Sequence, residues 1–113
     1  MKAAIYCRVD QGGDAEMQRE ALESQRIRLE EYANRHGVSI VDCYQDAGYS
    51  GHDMSRPGLA QLLKDGEAGR FQAVLVVSRT RLFRGSIWDE PKWPFQLIST
   101  NHLERAYHET RNR

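Results

Sequence analysis

Three short apolar runs alternate with two helix-patterned stretches, and that alternation is the tightest constraint on what this chain can fold into. The first run, Lys2–Val9, sets Ala3, Ile5 and Cys7 against Ala4, Tyr6 and Arg8. Both faces are largely apolar, which suits a strand covered on both sides. Val38–Tyr44 reads as a second strand, carried by Val38, Ile40, Val41, Cys43 and Tyr44. Ala73–Ser78 is a third, apolar almost throughout and so expected to be fully buried. Between the first two runs, Gln11-Gly12-Gly13 breaks the strand and Asp14 can cap a helix with Glu16 in its first turn. Ala15–His36 then reads as a long helix. Leu22, Leu29 and Ala33, flanked by Met17, Gln25 and Tyr32, form its inner stripe. Glu20, Glu23, Arg26, Glu30 and Arg35 face water, and Gly37 supplies the stop. Pro57 opens a second helix, with Leu59, Leu62 and Leu63 on its buried face and an end near Gly66 or Gly69.

Strands joined in this order by helices cross over right-handedly. The expected fold is therefore an α/β domain in three layers, a parallel sheet with a β-α-β-α-β core and helices on both faces. Ligands of such sheets bind beyond the carboxyl ends of the strands. Arg8–Gly13, the glycine-rich loop Asp46–Met54 running on to Arg56, and Ser78–Arg84 should converge there. Past Arg84 the pattern breaks up. Pro91 and Pro94 oppose a long helix; Phe95–Ser99 reads as a fourth strand and His102–Thr110 as a short terminal helix. The 113 residues fit one domain. Residues 1–84 read as its core and 85–113 as an atypical tail completing or flanking it.

Several function classes lose support from composition. No apolar run approaches a membrane span, and no secretory signal pattern opens the chain, so a cytoplasmic protein is expected. Cys7 and Cys43 lack metal or redox spacing and read as buried, reduced thiols. The histidines show no ligand spacing either, so neither metal nor cofactor is expected. Net charge is zero, but thirteen of the sixteen basic residues are arginine. Arginine's planar fork matches phosphate at two points; a GC-rich genome would also enrich it, and composition alone does not decide between the two.

Arg8, Arg56, Arg79, Arg81 and Arg84 fall at the expected strand ends, with Ser50 and Gly51. Gathered cations are costly unless anions offset them. A phosphodiester would do so, as would pairing with Asp10, Asp46 and Asp53. The order of motifs adds to this. Ile5-Tyr6-Cys7-Arg8-Val9 is followed by Leu22-Glu23-Ser24-Gln25 and Tyr32-Ala33. Asp46-Ala47-Gly48-Tyr49-Ser50-Gly51 and Arg56-Pro57-Gly58-Leu59 come next, then Val74-Leu75-Val76-Val77 leading to Arg81-Leu82-Phe83-Arg84. Over residues 3–84 this series resembles the N-terminal catalytic domain of the serine site-specific recombinases (the resolvase/invertase family), in the style of the large serine integrases. The resemblance implies DNA as partner, cleaved and rejoined through a phosphoserine link without a metal, within a synaptic tetramer. It implies Arg8, Arg81 and Arg84 as a phosphate clamp, Ser50 and Arg56 as its supporting pair, Gln25 as a helix residue near the site, and Arg8, Arg56, Arg81 and Arg84 as DNA-binding residues.

Four departures stand against that pattern. The family's nucleophilic serine falls at Asp10. Thr80 stands where an aspartate usually precedes the arginine-leucine pair, and Phe71-Gln72 where the family often has Phe-Asp. The subunit-joining helix has no room in the remaining residues. The expectation is a truncated, catalytically impaired member, the remnant of a mobile element, with Asp10 paired to Arg8, Arg81 or Arg84 in place of phosphate. Ser50, Ser78 and Thr80 are the other hydroxyls near the edge. One alternative is a non-catalytic module for protein association or weak DNA contact on the same fold. Another is a magnesium-dependent phosphatase-like or receiver-like domain using Asp10.

Overall fold

The computed structural model describes residues 1–101. Within them lie β1 (Lys2–Val9), α1 (Ala15–His36), β2 (Ser39–Ala47), α2 (Pro57–Glu67), β3 (Ala73–Val76), α3 (Arg79–Leu82) and β4 (Gln96–Ser99). The four strands form one sheet in the order β2-β1-β3-β4, and every neighbouring pair is parallel. The α/β expectation holds. The chain moves from β1 outward to β2, then returns past β1 to β3. Right-handed crossovers in opposite directions put α1 on one face and α2 on the other. The carboxyl ends of β1 and β3 flank the point where the direction reverses, the usual place for a crevice.

Two cores follow from the alternation within β1. Ala3, Ile5, Cys7 and Val9 pack with Leu22, Leu29, Tyr32 and Ala33 of α1. Ala4 and Tyr6 face Leu59 and Leu62 of α2, Leu82 of α3, and Phe71. Each of the fully buried leucines contributes about 1.5–3 kcal/mol by leaving water. Helix α1 is held at both ends by local chemistry. Asp14 accepts a hydrogen bond from the Met17 backbone at 2.8 Å, and Gly37 turns left-handed at φ 66° to return its N–H to Ala33. Its inner stripe is as expected except for Met17, which is exposed. Burial along α1 begins only at Leu22.

Other expectations need correction. Strand β2 runs to Ala47 rather than Tyr44, because β1 offers partners as far as Arg8↔Asp46 and Val9↔Ala47. Asp46 therefore belongs to a strand, not to the loop. Cys7 is buried, but Cys43 is exposed on the edge strand. Leu63 is only partly buried, and Gly66 lies inside the last turn of α2, where a Cβ would come within 3.0 Å of the Phe95 ring. The stretch after β3 contains the one-turn helix α3, capped by Ser78, where no helix was expected. Past Arg84, β4 forms as expected, and Trp93, Phe95 and Leu97 pack on the second core. The expected helix His102–Thr110 lies outside the described residues. No helix among the described residues is long and apolar enough to cross a membrane.

Candidate functional site

Arg8, next to last in β1, has no exposed surface. A buried guanidinium is tolerated only when its donors are satisfied. Its Nε donates to the Arg81 carbonyl at 2.9 Å, Nη2 to the Thr80 carbonyl at 2.9 Å, and Nη1 to the Tyr49 carbonyl at 2.8 Å. Nη1 also makes an ion pair with Asp10. Arg8 thus fastens the end of β1 to α3 and to the loop after β2. Its own peptide group is held by Gln25 of α1. The carboxamide accepts from the Arg8 N–H at 3.2 Å and donates to the Arg8 carbonyl at 2.9 Å.

Arg56 is also fully buried and reaches the same place from the start of α2. Its Nη1 donates to the Arg81 carbonyl at 3.1 Å and Nη2 to that of Leu82. Two guanidinium groups therefore hold the carbonyls that end α3, groups a helix terminus leaves without internal partners. The guanidinium carbon of Arg56 also lies 5.5 Å from the Tyr6 ring centre, a cation–π distance. The Tyr6 hydroxyl in turn donates to Asp46 at 2.7 Å. Burial and the Asp46 hydrogen bond both push the Tyr6 phenol above its ordinary value. Asp46 accepts further bonds from the N–H groups of Gly58 at 2.8 Å and Leu59 at 3.0 Å. It caps α2 from a neighbouring strand, since Arg56, at the cap position, offers no side-chain cap. Gly58 allows that approach: a Cβ there would sit 2.6 Å from the Gln45 carbonyl.

Arg81 and Arg84 complete the cluster on its outer side. Arg81 is partly exposed and donates through Nη1 to the Arg8 carbonyl at 3.2 Å. The Nε atoms of Arg56 and Arg81 are buried without a hydrogen-bond partner. Burial lowers both guanidinium groups from their usual range, and the charges of Arg8 and Arg84 lower Arg81 further. Arg84 is exposed, and its N–H donates to the Gly51 carbonyl at 3.2 Å. Gly51 is wedged in place: a Cβ would fall 2.8 Å from Arg84 Cβ and 2.9 Å from both Arg8 Nη2 and the Thr80 carbonyl. Asp10 is the carboxylate in this group, with a side chain 47% exposed. The hydrogen bond from Arg8 holds its carboxyl below the ordinary range against some desolvation, and the charges of Arg8, Arg84 and Arg81 act in the same direction.

The sequence-derived set is therefore only partly a cluster of open cations. Arg8, Arg56, Arg81, Arg84, Asp10 and Gln25 do come together. Asp10 pairs with Arg8, as expected. Arg8 and Arg56 have no exposed surface; their donors meet backbone carbonyls, and Arg8 meets Asp10 as well. Asp46 serves as a cap rather than as a counter-ion bridged to arginine. Arg79 leaves the site and pairs with Glu90. Ser50 is exposed and accepts from the His52 N–H at 3.1 Å, while Ser78 and Thr80 hydroxyls lie 3.0 Å apart. Sequence reasoning missed Tyr6, Tyr49 and the α3 carbonyls; a tyrosine in the middle of a doubly covered strand signals a buried hydroxyl needing an acceptor. Among the described residues no group of three or more His, Cys, Asp or Glu is placed to hold a metal ion.

A buried arginine frame thus stands at the switch point of the parallel sheet, with further arginines at its mouth. The resolvase N-terminal domain family matches residues 3–88. This chain belongs to that family. It is 38% identical to the N-terminal catalytic domain of TP901-1 integrase, over 75% of this chain and 60% of that one, with a TM-score of 0.63. It thus spans less than two thirds of that relative. The C-terminal catalytic domain of ISC1926 TnpA, an IS607-like serine recombinase, is 26% identical over 97% of this chain and 79% of its own, with a TM-score of 0.75. A resolvase-family site-specific recombinase from Streptococcus pneumoniae, 23% identical, shares the fold over 99% of this chain and 88% of its own, with a TM-score of 0.68.

Proposed function

We propose that this domain serves site-specific DNA recombination but is impaired in strand cleavage, because Asp10 stands at the nucleophile position and lies on the Arg8 guanidinium. That ion pair is the observation that carries the reading. An incoming phosphate would meet a like charge, a repulsion on the order of 4 kcal/mol at 4 Å in a partly screened site. Attack by the carboxylate would yield an acyl phosphate open to water, so rejoining would fail. In this reading Arg81 and Arg84, at the mouth, make the DNA contacts. Arg8 and Arg56 brace them from within, and Gln25 fixes the backbone of Arg8. Arg81 is partly exposed and Arg84 exposed, so these two arginines are the ones open to a phosphate oxygen. Family assembly into homo-oligomers on DNA is part of the same proposal.

The test is a cleavage assay on supercoiled plasmid, quenched in denaturant and probed for protein linked to DNA. No covalent adduct is expected from the chain as it stands, and Asp10→Ser should produce one. A covalent adduct formed by the Asp10 protein itself would refute the proposal.

A further inference from the structure

Helix α1 turns one face to the sheet and leaves the opposite face in water. Leu22, Gln25, Leu29, Tyr32 and Ala33 are buried. On the far side a shallow groove runs along the helix between Glu20, Ser24, Ile27, Arg28 and Glu31. Ile27 lies in it 44% exposed, and Met17, one turn upstream of Glu20, is 61% exposed. On the flank of this face Arg26 bridges Glu23 and Glu30. Glu20, Arg28 and Glu31, by contrast, make no ion pair among the described residues. At 3.6 residues per turn, Met17, Glu20, Ala21, Ser24, Ile27, Arg28 and Glu31 form one stripe, and all seven are exposed. The stripe is symmetric about Ser24. Ala21 and Ile27 stand three residues to either side of it, Glu20 and Arg28 four, and Met17 and Glu31 seven.

We propose that this face of α1 is an interface with a second copy of the same chain, packed antiparallel about a two-fold axis at Ser24. Such an axis exchanges each position with its mirror position. It sets Glu20 on Arg28 of the second copy and Arg28 on that copy's Glu20, two ion pairs from charges that have no partner within one chain. It also lays Ile27 on the small Ala21, beside Ser24, where the helix backbones can approach closely. Other pairings lose this match. A parallel arrangement puts Glu20 against Glu20 and Arg28 against Arg28. An antiparallel one displaced by three residues brings Glu20 to Glu31. DNA is not the occupant, because carboxylates outnumber guanidinium groups in the stripe. A contact one helix wide falls at or below the roughly 1,000 Å² of a stable interface. It is therefore weak by itself and joins copies already held near each other. The proposal does not rest on the DNA reading above.

The test is disulfide trapping in the full chain carrying Cys43→Ser, which removes the exposed native thiol. Helix axes 8–10 Å apart bring facing Cα atoms within about 6 Å, close enough for a disulfide. Ser24→Cys should therefore yield a covalent dimer under copper-phenanthroline oxidation. Asn34→Cys, also exposed on α1 but far from the axis, should yield far less. Adding Glu20→Arg to Ser24→Cys sets arginine against arginine at both pairs, and adding Arg28→Glu instead sets glutamate against glutamate. Each should slow crosslinking roughly five- to thirtyfold, with unchanged circular dichroism. Mixing those two variants restores both ion pairs, so mixed dimers, told apart by mass, should form at about the parent rate. A general loss of structure would not be rescued by mixing. The interface is overturned if either charge variant crosslinks as fast as its parent, if the mixture is no faster than each alone, or if Ser24→Cys is no faster than Asn34→Cys. No DNA is present, so each of these failures leaves the recombination reading where it was.

Discussion

Asp46→Ala should destabilise this domain more than its single charge suggests, because three donors converge on one carboxylate that is only 3% exposed. Removing it takes the cap from α2, which costs about 1 kcal/mol. The Tyr6 hydroxyl, bonded to Asp46 at 2.7 Å, is left buried without an acceptor, a further cost of about 2 kcal/mol. Together these give about 3 kcal/mol, which for a domain this size lowers the melting midpoint by roughly 12 °C. Asp46→Asn should recover little, since its amide would direct N–H groups at donors. Urea denaturation followed by far-UV circular dichroism measures the loss. A double-mutant cycle isolates its source: in a Tyr6→Phe background, Asp46→Ala should cost less by about 1–2 kcal/mol, the share of the stranded hydroxyl. A cost below about 1 kcal/mol, or strict additivity with Tyr6→Phe, would refute the argument that one carboxylate joins β1, β2 and α2.

Three further outcomes follow from the same geometry. Asp10 has a lowered folded-state pKa, so its ion pair stabilises fully above the ordinary carboxylate value of about 4 and fades as pH falls through the folded value. Because Asp10 is half exposed, Asp10→Asn should cost no more than ~1 kcal/mol at pH 7 and progressively less as pH falls below the ordinary carboxylate range, and urea titrations across that pH range check this. Gly51→Ala should cost about 2 kcal/mol and speed hydrogen exchange at the Arg84 amide, since the added Cβ has to displace the Thr80 carbonyl or Arg84. An unchanged exchange rate would show that the loop yields without moving Arg84. Burial pushes the Cys7 thiol up to about 12, while Cys43 is exposed. At pH 8 a thiol reagent should therefore modify Cys43 in the native protein and reach Cys7 only on unfolding, as mass spectrometry of digests would show.

What the sequence made legible was whatever depends on neighbours along the chain. The period of the apolar residues marks β1, α1 and β3, and local chemistry marks the ends of α1 at Asp14 and Gly37. The strand β4 was legible despite the surrounding prolines, because Phe95–Ser99 keeps its apolar character. The one-turn helix α3 was not, since four residues carry no periodicity. The site divides along the same line. Motif order gathered Arg8, Gln25, Arg56, Arg81 and Arg84 in one place. It did not reveal where their donors point, because the acceptors are carbonyl oxygens of Tyr49, Thr80, Arg81 and Leu82. Every residue carries a carbonyl, so sequence holds no trace of which ones become acceptors.

That difference decides how the site can open. The carbonyls on Arg8 belong to α3 and to the loop wedged at Gly51, and moving them would unpack the end of the sheet. Asp10 is the partner of Arg8 that is a side chain. It is half exposed and lies beyond the end of β1, so it can turn into solvent while the backbone stays where it is. An anion reaching the buried guanidinium therefore has one route, displacement of Asp10 from Nη1, and its affinity is reduced by whatever that ion pair contributes. Shortening the side chain removes the obstacle without touching the frame. For this reason Asp10→Ser tests two things at once, the introduced hydroxyl and the vacated guanidinium. Asp10→Ala separates them: it should bind sulfate more tightly than the unaltered chain, read as a larger sulfate-dependent rise in melting midpoint, and still form no covalent link to DNA.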